Sequence, residues 1–191
     1  MAILFRVLGG TAYKFNKENK TTDAINAYKT YIELNKNNPD AYVNLAICYA
    51  SRNDYTNASL VLNTAKTKFP NNTLIAKTIK EVNEDNLSTS LNVASESFEN
   101  KDYKKALSQY LTINPPTKDS LLGIAACYQG LEDLQNAIEY YKKAEKIAPN
   151  DGEIPYYIGY LYSEQQKWIE AEGYLRKSVK LKDNSDVKNL L

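Results

Sequence analysis

Cys48 and Cys127 are the only thiols in a chain of 191 residues that contains no histidine. A cysteine nucleophile needs a base or a cationic neighbour to become a thiolate, and a serine triad or a mixed zinc site needs an imidazole. Two cysteines also fall short of a four-thiolate metal site. The phosphate-cradling patterns G-x-x-x-x-G-K-[ST] and G-x-G-x-x-G are missing. The acidic run Glu81-Val-Asn-Glu-Asp85 lacks the alternating oxygen ligands and central glycine of a calcium loop, and fits a solvated turn. The sequence therefore predicts no enzyme, no metal and no cofactor. The residue left with chemical character is tyrosine, present 16 times, whose ring packs and whose face anchors partners.

Charge narrows the partners further. Lys and Arg number 24 against 23 Asp and Glu, a net charge of +1, which lacks the basic excess of a phosphate-binding protein. No nucleic acid is expected. No run of 18 apolar residues occurs, so no membrane insertion is expected either. Met1-Ala-Ile-Leu-Phe-Arg-Val-Leu-Gly-Gly10 is apolar but lacks the basic start and the length of a secretory leader, and is taken as helix. The expected location is cytoplasmic, with a soluble fragment of a larger or anchored protein as the other option.

These residues must be carried by something, and the chain repeats itself. A small residue is followed twelve positions later by alanine at Ala12/Ala24, Ala46/Ala58, Ala94/Ala106, Ala125/Ala137 and Gly159/Ala171. Ala12 and Ala46 are 34 residues apart, as are Ala125 and Gly159. Three residues after the small position stand Phe15, Tyr49, Ser97, Tyr128 and Tyr162; four after the alanine stand Tyr28, Leu62, Tyr110, Tyr141 and Leu175. Apolar residues at spacings of three and four flank a polar break such as Ser51-Arg-Asn-Asp54, Glu99-Asn-Lys-Asp102 or Gly130-Leu-Glu-Asp133. The pattern predicts two antiparallel helices per unit, brought close by the small residues. The aspartate closing each of these breaks is expected to cap the second helix. Pro70 and Pro149 end units, because proline lacks the N–H a helix interior needs.

Tyr42-Val-Asn-Leu-Ala-Ile-Cys-Tyr49 with Ala58, Leu62, Ala65 and Pro70 resembles the tetratricopeptide repeat, as does Leu121-Leu-Gly-Ile-Ala-Ala-Cys-Tyr128 with Ala137, Tyr141, Ala144 and Pro149. The resemblance implies an all-α, right-handed α-α superhelix, a solenoid of about five hairpins. Its units fall near 5–38, 39–72, 87–117, 118–151 and 152–185. Three departures from the pattern stand out. Asn19 occupies the first hairpin turn, with extra residues before Pro39 that should make the second helix end late. Ser97 replaces an aromatic, and Pro115-Pro116 should shorten the following helix. Residues 73–86 have helical spacing but no partner; the breaker-rich Asn83-Glu-Asp-Asn86 favours an unpaired helix and a hinge there over an extension of the next helix. Residues 186–191 look like the start of a terminal or truncated helix.

The same resemblance implies a protein-interaction module without catalytic activity, holding a partner peptide against the first helix of each unit. Carried over position by position, that face comprises Arg6, Gly9 and Tyr13; Val43, Asn44 and Ile47; Leu91, Asn92 and Ser95; Leu122, Gly123 and Ala126; and Tyr156, Tyr157 and Tyr160. Asn44, Ile47, Leu91, Leu122, Tyr156, Tyr157 and Tyr160 are the candidate partner-binding residues. Gly123 and Ala126 should leave a recess beside the three tyrosines. A chaperone-tail clamp does not fit, because only Asn44 matches and the lysines and arginine that would pair a terminal carboxylate are replaced by Gly9, Tyr13, Leu91 and Ser95. A chaperone for an aggregation-prone client and an assembly component self-associating through exposed ends are the alternatives. Tyr28, Tyr42, Tyr49, Tyr110, Tyr128, Tyr141 and Tyr162 are expected in the core, as are both cysteines, which are separated by at least one hairpin layer and so cannot form a disulfide.

Overall fold

The computed structural model describes residues 2–18 and 20–188, with side chains from 9 to 182 except 16 and 19. Among the described residues the chain forms ten α-helices and no strand. The chain divides into two compact units, Met1–Thr89 and Ser90–Leu191. In the first, α1 (Ala2–Lys17) pairs with α2 (Thr21–Leu34), α3 (Pro39–Ala50) pairs with α4 (Tyr55–Lys68), and α2 packs on α3. In the second, α6 (Tyr103–Tyr110) packs on α7 (Lys118–Gly130), which pairs with α8 (Leu134–Ile147). There α9 (Glu153–Glu164) packs on α8 and pairs with α10 (Trp168–Lys188). Between them in sequence runs α5 (Thr73–Glu99).

The small pairs do what their spacing requires. Ala12, Ala24, Ala46, Ala58, Ala94, Ala106, Ala125 and Ala137 are all 0% exposed. At the last pair a Cβ on Gly159 would come to 2.9 Å from Leu175 Cγ and 3.1 Å from the Ala171 carbonyl oxygen. The helices of that hairpin therefore meet backbone to side chain.

One turn closes four of the hairpins. The N–H groups of Asp54, Asp102, Asp133 and Lys167 donate to the carbonyls of Tyr49, Ser97, Tyr128 and Tyr162 at 2.9–3.0 Å. Just before them, Asn53, Lys101, Glu132 and Gln166 adopt φ of 58–62°. Their N–H groups reach back to Ala50, Phe98, Gln129 and Ser163 at 2.8–3.0 Å. This pair of bonds is the Schellman ending, which satisfies the last carbonyls of one helix and reverses the chain. In three of the turns the residue that ends this motif also starts the next helix: Asp54, Asp102 and Asp133 accept from the N–H of Asn57, Lys105 and Asn136 at 3.1–3.2 Å. The expected aspartate caps are all present. Asn19 lies outside the described residues.

Three expectations are corrected. First, α5 is one helix of 27 residues, so 73–86 is an extension of the following helix, and Asn83–Asn86 does not break it. Asparagine and aspartate cost at most about 0.7 kcal/mol each inside a helix. Tertiary contacts offset this: Val82 is buried in the first unit's core, and Tyr55 donates to Asp85 Oδ2 at 2.9 Å and bonds Thr89 Oγ1 at 3.0 Å. Second, α2 does not end late. It stops at Leu34 after 14 residues, as long as α4 and α8. The extra residues build a turn in which Asn35 and Asn38 donate to Tyr31 Oη, while Asn38 caps α3. Third, no new helix starts at 186, because α10 continues to Lys188 with no proline or glycine after Gly173 to stop it; residues 189–191 lie outside the described residues. Pro115-Pro116 does cut α6 short, to 8 residues.

Candidate functional site

Each unit has a recess on the side of its first-of-pair helices. The one in the second unit has a volume of about 300 Å³. Its floor is Leu122, Gly123 and Ala126 of α7, and its walls include Phe98, Tyr110, Tyr141, Ile154 and Tyr157. Tyr141 and Tyr157 stack with centroids 5.3 Å apart and planes at 19°, and Tyr156 meets Tyr157 edge-on at 5.8 Å. Burial pushes the Tyr141 phenol up to about 12, helped by its Tyr157 and Cys127 neighbours. It stays protonated and serves as wall and donor.

The rim is acidic. Asp119, Asp151 and Glu153 line the recess against the one cation, Lys118, whose Nζ lies 3.2 Å from Asp151 Oδ2. Asp119 and Glu153 sit in the first turns of α7 and α9, where a carboxylate also complements the helix dipole. Two of the three carboxylates come from the starts of the first-of-pair helices themselves, outside the positions carried over from the repeat, and Asp151 comes from the loop before α9.

Leu122 and Tyr157 thus meet in one recess, with Tyr156 against Tyr157. Tyr160 lies exposed on the same helix, one turn on. Its phenol is held above the usual tyrosine value chiefly by the nearby Glu164 carboxylate. Leu91 is half-buried on α5 and does not line the recess. One turn along, Ser95 Oγ lies 2.9 Å from Tyr110 Oη. Gly123 and Ala126 line the recess beside Tyr157 as expected, but the space directly over Gly123 is taken by Tyr110, whose Cζ would stand 2.4 Å from a Cβ there.

The first unit's recess is smaller, about 130 Å³, between Gly9, Tyr13, Tyr28, Tyr31, Asn38 and Asn44. Asn44 lines it; Ile47 is exposed one turn further along α3, and Val43 is buried with Ala65 and Ile75 rather than facing outward. The side chain of Arg6 lies outside the described residues. The Tyr28 hydroxyl is buried with no hydrogen-bond partner among the described residues, and desolvation raises its pKa to about 12. Of the seven tyrosines expected in the core, Tyr128 and Tyr162 are only half-buried, stacked on Tyr140 and Tyr174. Cys48 and Cys127 are both buried, and desolvation raises both thiols, Cys127 to about 11. Neither is a nucleophile at neutral pH.

One surface was not foreseen. A shallow trough of about 840 Å³ runs along α10, between Trp168, Ala171, Leu175 and Val179 on one flank and Glu172, Arg176 and Lys180 on the other. The apolar residues at spacings of three and four beyond Ala171 are the signal for it.

Among curated proteins no sequence matches the chain. Of solved structures, the MamA RS-1 ArsTM double mutant is 18% identical over 96% of this chain and 97% of its own, with a TM-score of 0.50. MamA residues 41 to the end from Desulfovibrio magneticus RS-1 is 18% identical over 95% and 97%, with a TM-score of 0.48. PilF of Pseudomonas aeruginosa is 14% identical over 92% and 75%, with a TM-score of 0.45. At 18% identity the first of these shows a likeness of fold alone. No described helix is long and apolar enough to cross a membrane. Tetratricopeptide repeat models match residues 16–80 and 119–151, together about half of the chain. With the small-residue pairs and hairpin turns in the same register, the chain belongs to the tetratricopeptide repeat family.

Proposed function

We propose that the chain is a non-catalytic scaffold that binds a segment of a partner protein on the first-of-pair helices, with the second unit's recess as its anchor point. The recess supports this reading: an exposed Tyr157 ring stacked on a buried Tyr141, beside a hollow of about 300 Å³, is the form that binding hot spots take. Three carboxylates against one lysine favour a partner segment that places a lysine or arginine there, where the cation meets both aromatic faces and carboxylates. Tyr156, Tyr157, Tyr160 and Leu122 would contact it in the second unit. Leu91 on α5 would add to it in the second unit, and Asn44 and Ile47 would make a contact of their own in the first.

Selection of phage-displayed random peptides on the immobilised protein tests this, with synthetic copies of the selected peptides measured by fluorescence anisotropy. Selected peptides should carry a basic residue, and Tyr157→Ala should weaken them about tenfold or more while the helical signal stays unchanged. Glu153→Lys should weaken them as well. Peptides without a basic residue that bind Tyr157→Ala as well as the parent protein would overturn the proposal.

A further inference from the structure

The outer face of α10 carries apolar side chains that nothing among the described residues covers. Trp168 is 65% exposed, Ile169 87% and Val179 58%. Inside the units the places of Trp168 and Val179 are half-buried, at Thr21 and Ile32 of α2 and at Leu134 and Glu145 of α8, where the hairpins of α3 and α9 follow; the place of Ile169 is exposed there too, at Thr22 and Gln135. No such hairpin begins after α10 among the described residues. Helices α2, α4 and α8 each end after 14 residues, whereas α10 runs 21 residues straight past that position. Its inner face is already engaged: Ser178 Oγ donates to the Gly152 carbonyl at 2.6 Å, Lys177 pairs with Glu145 at 3.0 Å, and Tyr174 stacks on Tyr162.

We propose that this face pairs with its own copy: two α10 helices packed antiparallel about a two-fold axis, making a closed homodimer. The order of residues along the helix is self-complementary under that operation. At about 100° per residue, Trp168, Leu175 and Val179 share one flank, Glu172 and Arg176 share the centre, and Ile169 and Lys180 share the other flank. A two-fold axis sets each flank against the same flank of the other copy, running the opposite way. Trp168 and Val179 are equidistant from a point near residue 174, and so are Glu172 and Arg176. Trp168 of one copy therefore meets Val179 of the other, twice, and Glu172 meets Arg176, twice. Within one chain Arg176 Nη2 already lies 2.7 Å from Glu172 Oε1, so the pairing joins two such ion pairs into a four-charge cluster flanked by apolar contacts. A parallel pairing would instead set Glu172 against Glu172.

A copy stacked end to end, with its α1 on α10, is disfavoured by the residues α1 presents. Around the small position, α3 offers Leu45 and Cys48 and α9 offers Ile158 and Leu161, all buried. At those places α1 has Thr11 and Lys14, and covering the latter would bury a charge against α10.

Sedimentation velocity of the whole chain over a wide concentration range tests the proposal. A monomer–dimer equilibrium with no larger species is expected. Trp168→Glu with Val179→Glu, both exposed in the monomer, should raise the dimer dissociation constant about tenfold or more with the circular dichroism unchanged. Glu172→Arg alone and Arg176→Glu alone should each weaken the homodimer, while an equal mixture of the two variants should restore dimers, since each copy then faces the opposite charge. A monomer at every concentration, growth beyond the dimer as end-to-end stacking would give, or a dimer indifferent to the Trp168 and Val179 changes would each overturn it.

Discussion

The ring of Tyr110 lies against the backbone of α7 at Gly123, so close that three of its atoms would be 2.4–2.7 Å from a Cβ on that residue. The contact holds because Tyr110 is buried at the end of α6 and its hydroxyl is tied to Ser95. The small residue at 123 is a packing requirement of the neighbouring hairpin and at the same time the floor of the candidate recess.

Gly123→Ala should therefore destabilise the protein, by about 1–3 kcal/mol of overpacking less about 1 kcal/mol of gained helix propensity. In a Tyr110→Ala background the same change should turn stabilising, because only the propensity gain is left. Urea denaturation of the four proteins of this double-mutant cycle reads the coupling directly. A Gly123→Ala variant as stable as the parent would show that Tyr110 can move at no cost.

The hairpin turns carry side chains where φ is positive. Glu132 and Lys101 both sit at φ 62°, and neither is glycine or asparagine. Left-handed backbone costs an ordinary residue roughly 1–2 kcal/mol, from which the extra unfolded-state freedom of glycine takes back about 0.5–1 kcal/mol. Glu132→Gly and Lys101→Gly should each raise stability by several tenths of a kcal/mol up to about 1. Asn53→Gly should gain less, since asparagine tolerates this conformation. Thermal melts of the three variants rank these effects, and a loss of stability in the first two would contradict the assignment of the turn.

Asp54 and Asp133 should make the stability depend on acid. The Asn57 and Asn136 side-chain amides and backbone N–H groups hold these carboxyls below the usual carboxylate range. A carboxyl with a lowered folded pKa stabilises fully above its unfolded value near 3.9 and loses that contribution as pH falls through the folded value. Asp54→Asn with Asp133→Asn keeps a capping oxygen without the charge, so it should melt below the parent at neutral pH. The gap should close as the pH is lowered from about 5 to about 2. A gap that does not change with pH would mean the carboxylate charge contributes nothing.

The sequence by itself determined the hairpins. Twelve-residue spacing between small side chains, aspartates at helix starts and prolines at unit ends are local signals, and each acts within a few residues of where it stands in the chain. Ala46 with Ala58 and Asp54 between them define a turn before any third helix is considered. Tertiary structure decided what depends on residues remote in the chain. Asn83–Asn86 looks like a breaker, yet α5 passes through it, because Tyr55 reaches Asp85 and Thr89 from 30 and 34 residues away and the small propensity cost is overcome. Gly123 lines the recess, yet the space at its missing Cβ belongs to Tyr110. The recess gains its acidic rim from Asp119, Asp151 and Glu153, which no inspection of one helix face would collect. The bare face of α10 was decided in the same way: its apolar residues are legible, but that no following hairpin covers Trp168 and Val179 among the described residues is seen only in the fold.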